Sequence, residues 1–148
     1  MIFPNRAAGV LAACLLFGAA CAKKIGDDCR SSIDCSQDGE RTCDISQPGG
    51  YCTIEGCDER SCPKESACVR FFPRLFLTKA CTDGCAADEL CVGDQCAPRG
   101  SERRFCMQTC GNNGDCRGGY ICREAGTEGS LPLTANPAAK VSFCAPGT

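Results

Sequence analysis

Residues 26–52 read GDDCRSSIDCSQDGERTCDISQPGGYC, with cysteines at 29, 35, 43 and 52 and turn-forming residues in every gap between them. Asp38-Gly39 and Pro48-Gly49-Gly50 are strong turn signals, and Tyr51 beside Cys52 marks the edge of a short strand. Working outward, the later cysteines sort into three more groups of four: Cys57, Cys62, Cys68, Cys81; then Cys85, Cys91, Cys96, Cys106; then Cys110, Cys116, Cys122, Cys144. The first members, at 29, 57, 85 and 110, fall 28, 28 and 25 residues apart. A period in this range is the signature of a repeat array. The expected fold class is therefore small and disulfide-rich: a tandem array of four short units with little regular secondary structure beyond short β-hairpins and turns. The units are drawn as residues 29–56, 57–84, 85–109 and 110–148.

Each unit is too short to be stabilised by an apolar core alone, a limit that falls near 40 residues. Covalent bonds must replace it, each closed loop of about 15 residues contributing roughly 3 kcal/mol in the chain-entropy model. Eighteen cysteines in 148 residues exceed the roughly 8–10% that marks a disulfide scaffold, and such scaffolds persist in oxidising compartments. All sixteen cysteines of the ladder are expected to be oxidised. Pairing is expected to stay inside each unit, because short loops lose the least entropy on closing, and to run first to third and second to fourth.

Acidic and basic residues, 18 against 16, nearly cancel and are interleaved, which leaves no basic face for nucleic acid. The chain has no histidine, so the commonest general base is missing and catalysis is not expected. No two cysteines are separated by only two residues, as a thiol oxidoreductase would require, and the same absence argues against a structural zinc site. Calcium is an alternative reading, with Asp27, Asp28, Asp34 and Asp38, or Asp83 with Asp88, as oxygen donors from turns. No cofactor is expected.

At the N-terminus, Arg6 precedes an apolar run from Ala7 to Ala20 that is interrupted only by glycine and ends at Cys21-Ala22-Lys23-Lys24. The run has the length of a signal-peptide core and falls short of the roughly 20 residues that span a bilayer. Residues 1–20 are thus read as an export signal and 21–28 as a tether. Gly18-Ala19-Ala20-Cys21 resembles the lipobox of bacterial lipoproteins, with Gly18 where that family usually carries an aliphatic residue. The resemblance implies a lipid thioether on Cys21. Ordinary secretion stays open, since Gly18-Ala19-Ala20 and Ala20-Cys21-Ala22 also fit small-x-small cleavage sites. Cys14 is a small apolar member of the signal core.

The first unit resembles the Dickkopf N-terminal type of cysteine-rich module and the bacterial lipoproteins that carry tandem copies of similar units. Ile33-Asp34-Cys35, Gly114-Asp115-Cys116 and the closing Gly49-Gly50-Tyr51-Cys52 carry that resemblance. It implies an exported module that binds or stiffens, with no catalytic residues. The densest apolar stretch after the signal, Val69 to Leu77, supplies a candidate contact loop: Arg70, Phe71, Phe72, Arg74, Leu75, Phe76 and Leu77. Alternation places Val69, Phe71, Leu75 and Leu77 on one side, covering the disulfides, and Arg70, Phe72, Arg74 and Phe76 on the other, reaching outward, about Pro73. A local mini-core under a cationic surface is the alternative reading. The stretch Ala97–Arg104, with Arg99, Arg103 and Arg104, reads as a solvated linker. The expected object is a rod or string of units at the cell envelope, periplasmic or surface-exposed, anchored through Cys21 in a membrane such as the outer membrane, that binds a protein or other envelope partner or spaces one from the membrane. A freely secreted inhibitor-like or toxin-like protein is the alternative, and a calcium-binding protein the second.

Overall fold

All sixteen cysteines of the ladder are oxidised, in eight bridges. The computed structural model describes residues 23–77, 79–136 and 138–147, so the expected signal and the lipidation site Cys21 lie outside the described residues. The fold is small, disulfide-rich and built from short antiparallel strands: β1 (Thr42–Cys43), β2 (Cys52–Thr53), β3 (Ser66–Phe71), β4 (Lys79–Ala80), β5 (Glu89–Val92), β6 (Gln95–Pro98), β7 (Arg103–Gln108), β8 (Tyr120–Glu124), β9 (Ser130–Pro132) and β10 (Ser142–Pro146). They form two hairpin pairs, β1-β2 and β10-β8, and two three-stranded sheets, β7-β3-β9 and β4-β6-β5.

The end units pair as expected, first to third and second to fourth: Cys29–Cys43 with Cys35–Cys52, and Cys110–Cys122 with Cys116–Cys144. Cys57–Cys68 and Cys85–Cys96 follow the same rule. The other two bridges correct the expectation that pairing stays within groups drawn in sequence order. Cys62 joins Cys106 and Cys81 joins Cys91, so both cross from residues 57–84 into 85–109. The eight middle cysteines therefore regroup. Cys57, Cys62, Cys68 and Cys106 make an outer unit, and Cys81, Cys85, Cys91 and Cys96 make an inner unit threaded between the outer unit's third and fourth cysteines. With that nesting, all four units obey first to third and second to fourth.

Strand pairing explains why the local alternative loses. Cys62–Cys106 spans 44 positions, where a Cys62–Cys81 bridge would span 19 (81 − 62), and each doubling of a loop costs only about 0.6 kcal/mol. Against that small penalty stands a six-residue ladder between β3 and β7 that sets Cys68 directly opposite Cys106. The same placement recurs in every unit, with Cys43 opposite Cys52, Cys91 opposite Cys96, and Cys122 opposite Cys144. A turn precedes each hairpin: the amide four residues after the second cysteine donates to the carbonyl one residue after it, as in Gly39 to Ser36, Ser66 to Pro63, Glu89 to Ala86 and Tyr120 to Arg117. The gap between third and fourth cysteines is where length varies, because a hairpin loop can grow without disturbing its ladder. It is short in the inner unit, and in the outer unit it holds the whole inner unit.

The units do not hang as a string, which corrects the rod expected from the repeat. Ile25 and Tyr51 of the first segment, Val69 and Met107 of the outer unit, and Tyr120 and Phe143 of the last share one buried cluster. Phe143 meets Phe71 edge to face at 5.6 Å, a favoured aromatic geometry. The inner unit has its own small core, Val92 and Ala97 closed over by Phe72.

Besides the bonds of residues 53–56 to β7, two side chains dock the first unit onto the rest. Tyr51 is buried, stacks on Tyr120 at 5.6 Å, and its hydroxyl accepts from the Gln108 amide at 2.9 Å. Arg117 lies over the Tyr120 ring at 4.2 Å and donates to the carbonyls of Pro48 and Gly50. Gly50 has φ +71°, and a Cβ there would collide with the Cys29 carbonyl, so this turn needs glycine to bring the two backbones together.

Candidate functional site

The stretch 70–77 is divided between interior and surface, and the division follows from where β3 stops. Alternation holds through Phe71, whose ring packs on Phe105 and Phe143. Phe72 turns to the opposite side but is only 3% exposed, buried against Val92, Ala97 and Leu131. This corrects the expectation that Phe72 reaches outward: the nested inner unit covers that side of the sheet. Arg70 lies above the Phe72 ring at 5.6 Å and is bound to Glu102. From Pro73 the chain enters a one-turn 3-10 helix, Arg74–Phe76, and the two-residue period ends. Leu75 is 81% and Phe76 45% exposed, while Leu77 folds back onto the inner core. Arg74 projects beside them and pairs with Glu128 at 2.9 Å. Of the seven candidate residues, Arg74, Leu75 and Phe76 therefore form an exposed tip, and the other four hold it in place.

A second site lies where a solvated linker is expected. Residues 97–104 run from the end of β6 through a short 3-10 turn, Arg99–Ser101, into β7. Arg104 stands directly opposite Arg70 across the β3-β7 ladder, an arrangement of like charges that destabilises a sheet unless it is neutralised. Glu102 supplies the neutralising charge, accepting from Nε and Nη2 of Arg70 and from Nε of Arg104. Burial works against its charged form, yet the hydrogen bonds and positive charge of Arg70 and Arg104 prevail and hold its carboxyl below the usual range. Arg70, Arg99, Glu102 and Arg104 together line an open depression of about 400 Å³. The sequence signal for this cluster was the density of arginine in 99–104, but pairing with Arg70 depends on a register that the nested insert obscures.

Three of the aspartates considered for calcium near the first unit, Asp27, Asp28 and Asp34, have other partners. Asp34 accepts from the amides of Arg30 and Ser31 at 2.8 and 3.0 Å, and these bonds hold its carboxyl below the usual range. Asp115 likewise accepts from the amides of Gly111 and Asn112, at 2.8 and 3.0 Å. In the first and last units the aspartate before the second cysteine is thus a clamp on the loop between the first two cysteines. Asp27 accepts from the Lys24 amide, and Asp28 pairs with Lys23. Three sulfurs of each unit lie within 4.8 Å of one another; as members of disulfides they offer no thiolate to a metal.

No family model, curated protein or solved structure matches the chain. The functional reading rests on the geometry: a cross-linked scaffold that carries an exposed apolar tip on one turn and an arginine-lined depression on another. Among the described residues no helix is long and apolar enough to cross a membrane.

Proposed function

We propose that the chain is an exported, non-catalytic binding module, held at the cell envelope by a lipid on Cys21 and contacting its partner through the Arg74–Phe76 tip. The observation that carries the reading is the combination of eight bridges with a leucine left 81% exposed at a turn. A fold stabilised by cross-links keeps its shape while showing apolar side chains to solvent, and such side chains on a rigid turn are suited to anchoring an interface. Arg74 and Arg123 both pair with Glu128, at 2.9 and 3.0 Å, so two positive charges meet one negative charge beside the tip and favour a partner whose apolar surface is flanked by acidic groups. Support for export comes from the bridges, which need an oxidising compartment. Support for the anchor comes from the Gly18–Cys21 motif.

Growth of producing cells with a labelled fatty acid tests the anchor. The protein should take the label and lose it on Cys21→Ser. An unlabelled, soluble product from the unaltered sequence would instead establish free secretion and leave the tip as the functional surface of a diffusible protein.

A further inference from the structure

We infer that the depression lined by Arg70, Arg99, Glu102 and Arg104 is a binding site for a doubly charged phosphate group, either free or at the end of a larger ligand. Three guanidinium groups and one carboxylate line it, and the carboxylate, Glu102, binds Arg70 and Arg104. A smaller depression of about 290 Å³ uses the same Glu102 and Arg104 and adds Arg103, whose charge is balanced by Glu55 at 2.9 Å. The local excess is therefore two positive charges (four arginines less two glutamates), on a chain whose net charge is −2. A phosphate monoester carries about −1.5 to −2 at neutral pH, which matches that excess, whereas a single carboxylate would leave half of it unmet.

The chemistry of the donors points the same way. Arginine presents its N–H groups in a planar fork that meets phosphate oxygens two at a time, and it is less strongly hydrated than lysine. Arg70 is held in position before any ligand arrives, by Glu102 on one side and the Phe72 ring on the other, and its side chain is only 21% exposed. Arg99 has no acidic partner among the described residues. Glu102 contributes by cancelling one charge, which lets Arg70 and Arg104 stand opposite each other in the ladder without a ligand. All four lining residues are charged, which favours an ionic over an apolar occupant. The inference depends on neither export nor Cys21, so its outcome and that of the fatty-acid experiment are separable.

Titration of the full oxidised chain with inorganic phosphate at low salt, followed by backbone amide NMR, tests it. Saturable shifts are expected at residues 70 and 99–104. The double variant Arg99→Ala/Arg104→Ala, with its eight bridges confirmed by mass, should bind at least tenfold more weakly, while Arg30→Ala in the first unit binds as the unaltered chain does. Shifts that do not saturate, that chloride reproduces at equal ionic strength, or that survive in the double variant would overturn the assignment. A second arm identifies the source. Co-sedimentation with phosphatidic acid vesicles, but not with phosphatidylcholine vesicles, assigns the phosphate to a lipid headgroup, and phosphate binding without co-sedimentation assigns it to a soluble ligand.

Discussion

Tyr51 carries more of the tertiary structure than its position in a cysteine-rich loop suggests. Its hydroxyl receives the Gln108 amide while its ring is sealed between the first and last units, and burial pushes its pKa up to about 12 against the smaller opposing effects of that hydrogen bond and Arg117. A raised pKa in the folded state means stability that is present below the unfolded value near 10 and is lost as pH rises toward 12. About two units correspond to a loss on the order of 3 kcal/mol across that window. Absorbance titration near 295 nm should show a tyrosine ionising close to pH 12, and Tyr51→Phe should remove that step. If Tyr51→Phe instead removes a step near pH 10, Tyr51 is not buried as described. A second contrast at this scale separates Phe72 from its neighbours. Phe72→Ser should destabilise by about 3 kcal/mol or more in urea, as a buried aromatic truncation does, whereas Leu75→Ser and Phe76→Ser should stay within about 0.5 kcal/mol, as surface changes do.

The hairpin with opposed third and fourth cysteines is the unit of construction, and much of it was legible in the sequence. Turn residues located the loops, and Gly-Tyr-Cys52 marked a strand. What misled was taking the cysteines in order. The spacing Cys-x5-Cys recurs at 29–35, 62–68, 85–91, 110–116 and 116–122, as first and second members in some units and second and third in others, so spacing alone did not expose the nesting. The inward position of Phe72 was not legible, since alternation alone assigns it to the side opposite Phe71 and cannot say that a later unit folds over that side. Nor was the docking of the first unit, because Arg117 and Pro48 are 69 residues apart and no local pattern connects them. That docking makes its own prediction. Arg117→Ala removes donors to two turn carbonyls and the stack on Tyr120, so hydrogen exchange should accelerate across residues 44–52 while the β3-β7 ladder keeps its protection. Uniform acceleration through both regions would show that the first unit is not a separately released element.

At the scale of the whole molecule, the central claim is that one cross-linked unit is inserted in the hairpin loop of another, and that the first, outer and last units share a core. Insertion at that loop leaves the outer ladder intact and places the tip and the arginine cluster at the two chain crossings into and out of the insert. The connectivity has a direct chemical consequence. Lys79 and Arg99 flank the inner unit and no lysine or arginine lies between them, so trypsin can excise residues 80–99 with all four inner cysteines. Digestion of the oxidised protein without reductant, read by mass spectrometry, should release Ala80–Arg99 as a free peptide, lighter by four hydrogens than its reduced form. If residues 80–99 instead remain bonded to peptides containing Cys62 and Cys106, pairing follows sequence order and the nested architecture is wrong.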